Sequence, residues 1–257
     1  MIHPSASVDT RAHLDDDVEV GAFAVIGADV EIATGNRVGA HAVILGPTRI
    51  GPDNHIHAHA CIGDAPQDLG YRGEPTRLEI GAGNVIREFV TIHRGSPKDT
   101  GCTRVGDGGL YMVASHIAHD CRVGDGVILA NCATLAGHVT VGDHANIAGL
   151  TAVHQFVRIG RHAMIGGGSI VVQDIPPFLL AAGNHARLYG LNRRGLERHD
   201  FPPEVLRALK RAYRRLFRSG ERFTEAAAGL RGEGLTEWPA VADLIAFVTD
   251  SHRGVAR

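Results

Sequence analysis

The sequence predicts a mainly β protein, a parallel β-helix of hexapeptide repeats with a small α-helical domain at its C-terminal end. Three observations predict it. An aliphatic residue recurs at every sixth position over most of the chain. Aromatic residues make up only 5% of the composition while 33 of the 257 residues are glycine, so something other than aromatic packing fills the interior. After Ile175-Pro176-Pro177 the period of six gives way to proline-initiated stretches with helical spacing.

The aliphatic run reads Val8, Leu14, Val20, Ile26, Ile32, Val38, Ile44, Ile50, Ile56 and Ile62, and resumes in phase at Ile80, Ile86 and Ile92. After a slip of one residue it continues from Val105 and Tyr111 through Ile117, Val123, Leu129, Leu135, Val141, Ile147, Val153, Ile159 and Ile165 to Val171. Small residues such as Ala12, Ala24, Ala42, Ala60, Ala133, Ala145 and Ala163 follow four places later. Six fits neither the helical period nor strand alternation, but it suits short strands joined by tight corners. Three hexads then close one triangular coil, so residues about 18 apart stack on neighbouring coils. Aliphatic side chains fill the prism, and small ones sit where its walls converge.

Two segments break the pattern, 64–78 (DAPQDLGYRGEPTRL) and 94–104 (RGSPKDTGCTR). Both read as excursions from the prism, and loops on a rigid scaffold are natural places for substrate contacts. The repeats assign residues 1–190 to the β-helix and 191–257 to the helical domain. In the latter, FPPEVLRALKRAYRRLFRSG predicts a helix started by proline and stopped at Gly220, with further helical stretches from about Glu221 and Pro239.

The net charge of −2 conceals an asymmetry, because ten Lys or Arg between Arg187 and Arg218 face only Glu197, Asp200 and Glu204. In the predicted helix Leu206, Leu209, Tyr213, Leu216 and Phe217 form one stripe and Arg207, Lys210, Arg211, Arg214, Arg215 and Arg218 another. A solvated face accounts for the basic stripe, and so does a docking surface for an acidic partner. The near-neutral chain argues against nucleic acid. No apolar run approaches the roughly 20 residues that span a bilayer, so no stable membrane insertion is expected and any lipid chemistry uses soluble carriers. Cys61, Cys102, Cys121 and Cys132 lack CxxC spacing and read as small buried fillers in a reducing, cytoplasmic setting.

The densest polar cluster in the repeats is Ser115-His116-Ile117-Ala118-His119-Asp120-Cys121. The coil period places Gly137 one coil from His119, His138 one coil from Asp120, and Gln155 one coil beyond Gly137. Neighbouring coils lie about 4.8 Å apart. Imidazole titrates near neutrality, so His119 is expected to act as general base on an attacking hydroxyl, with Asp120 holding its tautomer. The Gly137 amide is placed to donate to the oxyanion of a thioester under attack. Direct attack agrees with the absence of a Ser or Cys nucleophile motif. The same histidines leave a second reading open, a zinc site made by His116, His119 and His138 as in a γ-class carbonic anhydrase.

The segments QDLGYRGEPTR (67–77), TIHRG (91–95), HIAHDC (116–121), LAGHV (135–139), TAVHQF (151–156), QDIPP (173–177) and GNHA (183–186) together resemble the UDP-N-acetylglucosamine O-acyltransferase family. The resemblance covers nearly the whole chain. It implies a left-handed coil, against the usual crossover rule. It also implies transfer of an (R)-3-hydroxyacyl group from acyl carrier protein to the 3-OH of UDP-N-acetylglucosamine, the first step of lipid A biosynthesis, without a cofactor or metal. By position, His119 matches the base, Asp120 its partner and Gly137 the oxyanion donor. Asp68, His116, His138, His154 and Gln155 match residues contacting the sugar nucleotide or acyl product, and Asn192 and Arg198 match positions near the nucleotide and carrier end. Gly167 matches the acyl-length ruler, and glycine there implies a long chain of the myristoyl class.

Two positions depart from the family. Gly70 stands where a lysine usually follows the QDL motif, so that a charged contact is missing or comes from elsewhere, with Arg72 as a candidate. Arg194 stands where members tend to be acidic. Both bear on the acceptor, hydroxyl or amine at the 3-position. The resemblance further implies a homotrimer with sites between subunits, and flat prism walls suit threefold packing. Another acyltransferase of this fold, acting on an amine, would usually carry an N-terminal domain before its repeats, whereas here the repeats begin within ten residues of Met1.

Overall fold

Each hexad folds into a strand of mostly two residues and a corner, as in Val25–Ile26 or Ile128–Leu129. From the second coil on, the outer residue of the two-residue strands is exposed or partly so and the aliphatic one is buried, which is the alternation a single prism wall requires. The computed structural model describes residues 1–257, and in it the strands stack into three walls of 9, 8 and 10 strands, parallel throughout except for the last strand of the third. The coil is a left-handed parallel β-helix.

Register follows the aliphatic run. In the first wall Val8 stands beside Ile26, Ile26 beside Ile44, and Ile117 beside Leu135 and then Val153. The second wall stacks Leu14, Ile32, Ile50, Ile80, Val105, Val123, Val141 and Ile159. Tyr111 takes an aliphatic place in the third wall, between Ile86 and Leu129, and is wholly buried. Burying one such aliphatic side chain stabilises by roughly 1.5–3 kcal/mol, and the column repeats it coil after coil. Asn36, Asn54 and Asn84 form a buried ladder at one corner, each Oδ1 accepting from the backbone N–H one coil on (3.1, 2.8 and 2.8 Å). Corners cost positive φ, and along the edge joining first and second walls Asp120 (+60°) and His138 (+61°) accept it.

The excursions are shorter than the sequence suggests. Arg77–Ile80 and Cys102–Val105 are strands of the second wall, paired from Arg77 with Cys102 to Ile80 with Val105, so the loops proper run 65–76 and 94–101. These residues carry no mark of the period because they precede the aliphatic positions that set it. The coil also outlasts the proline pair: Leu179–Ala182 joins the third wall and turns back in an antiparallel partner, Arg187–Leu191.

Four helices follow, α1 (Arg193–Arg198), α2 (Pro203–Arg218), α3 (Phe223–Gly232) and α4 (Pro239–Thr249). The short α1 carries no apolar period and was not expected. In α2 Leu209, Tyr213 and Leu216 are buried with Ala208 and Ala212, and the basic stripe faces out. The C-terminal segment returns to the prism: Ser251 Oγ donates to the buried Asp174 (2.8 Å) and Arg253 Nε to Val172 O (2.8 Å). Cys102 and Cys121 are buried fillers as expected, but Cys61 is half-buried and Cys132 is exposed, because it sits at a corner rather than on a wall.

Candidate active site

The HIAHD segment starts on a wall and ends on an edge. His116 lies on the outer face of the first wall beside Thr91, whose Oγ1 is 2.7 Å from its Nδ1. Three residues later the chain turns the corner into the second wall, and His119 and Asp120 sit at that corner. One coil on, the His138 N–H donates to His119 O (3.0 Å), and one further, the Phe156 N–H donates to Gly137 O (3.1 Å). The stacking expected from the period is therefore present.

His119 Nδ1 is 2.8 Å from Asp120 Oδ2, and the carboxylate is fully buried. Burial alone would raise the Asp120 pKa. Hydrogen bonds from His119 and from the Ser96 hydroxyl and N–H overcome it and hold the group below the ordinary carboxylate range. Ser96 Oγ donates to Oδ2 (2.7 Å) and its N–H to both oxygens (3.0 Å), while the Asp120 N–H donates to Thr103 Oγ1 (2.8 Å). An ionised carboxylate only accepts, so Nδ1 of His119 carries the proton and Nε2 is left as the acceptor. Beside that nitrogen lies Gly137. Its N–H has no hydrogen-bond partner in the chain, and a Cβ on it would stand 2.6 Å from His119 Cε1 and 2.8 Å from Nε2. Only glycine leaves the imidazole its place.

His138 stacks on Phe156 with ring centroids 4.5 Å apart and meets His119 edge-on at 5.2 Å. Its ring nitrogens are 3.8 Å from Asp120 and 3.7 Å from Asp99. His116 is pushed down to about 4 by burial and by the neighbouring His93 and His119, so it is neutral at pH 7. His93 is lowered by the same desolvation, and its Nδ1 has no partner. The three-imidazole zinc set is not assembled. The ligand atoms that lie within 4.8 Å of one another belong to His119, Asp120 and His138, and His116 is outside that group. The carboxylate oxygen in it already accepts from His119 and Ser96.

Other expected residues are distributed. Asp68 reaches the site from loop 65–76, close enough for the charge of His119 to act on its carboxylate. Arg72 does not supply the contact missing at Gly70, since it donates to Leu69 O (2.7 Å) and Tyr71 O (3.0 Å) within its own loop. Gln155 stands exposed one coil above Gly137, and His154 Nδ1 faces Arg253 Nη2 at 2.7 Å. Asn192 caps α1 and donates to His162 O (2.9 Å). With Arg198 it lies at the edge joining second and third walls, away from His119 of the same chain, and Gly167 lies at the remaining edge, joining third and first. Sequence reasoning missed Ser96, Thr103, Lys98 and Asp99, all from or beside loop 94–101, because no period pairs a loop residue with a coil.

A carboxylate-held imidazole beside a glycine whose N–H is free, set at one edge of a left-handed β-helix of hexapeptide repeats, defines a class: the hexapeptide-repeat acyltransferases. The family model described as "Udp N-acetylglucosamine O-acyltransferase; Domain 2" matches residues 174–256. A Syntrophobacter fumaroxidans protein named acyl-(acyl-carrier-protein)--UDP-N-acetylglucosamine O-acyltransferase is 51% identical over 258 residues, with 100% of each chain covered. An Alkalilimnicola ehrlichii protein of the same name is 52% identical over 256 residues, covering 100% of this chain and 99% of the relative. The crystal structure of UDP-N-acetylglucosamine O-acyltransferase from Moraxella catarrhalis superposes with a TM-score of 0.97 at 42% identity, over 100% of this chain and 99% of that one. The chain belongs to the UDP-N-acetylglucosamine O-acyltransferase family.

Proposed function

We propose that the protein transfers an (R)-3-hydroxyacyl group from acyl carrier protein to the 3-OH of UDP-N-acetylglucosamine, the first step of lipid A biosynthesis. One observation carries the chemistry: His119, fixed by the ionised Asp120, lies against Gly137, whose N–H is unpartnered. Nε2 of His119 takes the proton of the sugar hydroxyl as its oxygen attacks the thioester carbonyl. Asp120 stabilises the imidazolium that forms, and the Gly137 N–H donates to the oxyanion. Collapse breaks the carbon–sulfur bond, and the leaving thiolate takes the proton back from His119. No covalent enzyme intermediate forms.

In this reading Asp68, His116, His138, His154 and Gln155 contact the sugar nucleotide or product. Asn192 and Arg198 act at the nucleotide and carrier end, and Gly167 sets acyl length, open here to a long chain. That Asn192 and Arg198 share no edge with His119 supports a homotrimer in which one subunit completes another's site. Three cations of α2, Arg207, Lys210 and Arg214, form no ion pair in the chain and line a cavity of about 960 Å³ with Tyr189, Leu191 and Phe201, which suits an acidic carrier. No helix is long and apolar enough to cross a membrane, and a cytoplasmic reaction between soluble partners goes with this reading. The test is mass-spectrometric detection of acylated UDP-sugar after incubation with UDP-N-acetylglucosamine, or its 3-amino analogue, and 3-hydroxyacyl carrier proteins of several lengths. Ester product with a preference for long chains is expected; product only from the amino sugar would reassign the acceptor.

A further inference from the structure

Loop 94–101 does more than close a coil. Ser96 holds Asp120, Asp99 lies 3.7 Å from His138 and 3.5 Å from Arg122, and between them Lys98 reaches the other loop. Its Nζ is 2.8 Å from Oδ1 and 2.7 Å from Oδ2 of Asp68. The Asp68 side chain is only 10% exposed while that of Lys98 is 59% exposed. The Gly70 N–H also donates to Asp68 Oδ1 (2.7 Å). A Cβ built on Gly70 would meet Lys98 Nζ at 3.2 Å and Cε at 3.3 Å. The ammonium thus packs against the point where a side chain at position 70 would begin, closer than ordinary contact with a Cβ there.

We propose that Lys98 is a positioning residue of the acceptor pocket, a cation delivered from loop 94–101 into the place left open by Gly70, which orients the Asp68 carboxylate toward the sugar nucleotide. The assignment rests on the function proposed above. As a surface ion pair the contact would add little to stability, so its worth lies in where it puts the carboxylate. The Lys98 hydrogen bond is the main cause that holds Asp68 below its ordinary range, and the Gly70 N–H bond is the next. An ammonium has three donors. Asp68 Oδ1 takes one, which leaves donors for a substrate oxygen in the cavity of about 420 Å³ that Lys98 lines with Asp120, His138 and Phe156.

Steady-state kinetics on the full-length protein test this, with UDP-N-acetylglucosamine and acyl carrier protein varied in turn. Lys98→Gln should raise KM for the sugar nucleotide about tenfold, the effect of one lost charge-assisted hydrogen bond, with kcat and the carrier KM within about twofold. Adding Gly70→Lys to Lys98→Gln should restore the sugar-nucleotide KM, because a lysine at 70 enters the vacated space. An unchanged KM in Lys98→Gln, or a fall in kcat and melting temperature that Gly70→Lys does not rescue, would overturn the assignment. Absence of turnover in the unmodified protein would instead overturn the function, and this role with it.

Discussion

Gly137→Ala isolates the geometry of the base from the stability of the fold. The added Cβ would stand 2.6 Å from His119 Cε1, whereas ordinary contact begins at 3.4 Å, so something must move by about 0.8 Å. The backbone of residue 137 is tied into the coil by the Phe156 N–H, and Asp120 is pinned by Ser96. The imidazole therefore gives way, stretching its 2.8 Å bond to Asp120 and leaving the line of attack. A misplacement of about 1 Å costs up to about 10²-fold in rate. A methyl group beside the Gly137 N–H also crowds the oxyanion, where one lost donor is worth about 10²–10³-fold. We expect kcat to fall at least about 10²-fold while the melting temperature stays within a few degrees, since the site is a corner at the surface and no core residue shifts. The assay is product formation at saturating UDP-N-acetylglucosamine and acyl carrier protein, with circular dichroism as control. A variant that retains kcat within about threefold would show that Gly137 neither makes room for the imidazole nor serves the oxyanion.

Asn54→Ala removes the middle of the asparagine ladder. It leaves the buried Asn84 N–H and the Gly81 carbonyl without the side chain they bond, while Asn36 still donates to Gly51 O, and should destabilise by about 2–4 kcal/mol in chemical denaturation; a loss under about 1 kcal/mol would show that water replaces it. Stability should also fall as pH drops. His116 and the buried His162 are each pushed down to about 4, mainly by desolvation, so the unfolded chain, titrating near 6.5, binds their protons more readily. Their contribution is complete above about pH 6.5 and is lost as pH falls toward 4, with about 2 kcal/mol gone from each by pH 5. Denaturation at pH 7 and pH 5 measures this, and His162→Phe should reduce the difference; equal stability at the two pH values would contradict it. Gly167→Met should shift product toward shorter acyl chains without loss of fold, since a Cβ there meets only Gly149 O (3.3 Å) and Ala148 Cβ (3.9 Å) within 4 Å; unchanged chain-length preference would remove Gly167 from the acyl path.

The coil was legible because one physical constraint repeats in it. The wall residues that face the prism are aliphatic with Tyr111 as the exception, so Val8 to Val171 announce their own register, and the stack of His119, Gly137 and Gln155 follows by counting. Counting fails at the loops. Nothing in SPKDT says that Ser96 folds onto Asp120 twenty-four residues away, or that Lys98 rather than Arg72 answers the glycine at 70, because those contacts depend on how two aperiodic segments lie together. It fails again after Pro177, where strands Leu179–Ala182 and Arg187–Leu191 pair without hexads to mark them. Asn192 and Arg198 could be named by likeness, but not placed: which edge of the prism they occupy depends on the path of the chain through α1.

If His119 is the general base of acyl transfer, turnover by His119→Ala must show it. With both substrates saturating and the fold verified, kcat should drop about 10²–10⁴-fold, the usual worth of a positioned base, with the binding of UDP-N-acetylglucosamine retained. Turnover within about threefold of the unmodified protein would contradict the account, and would move the chemistry to another group on the same edge.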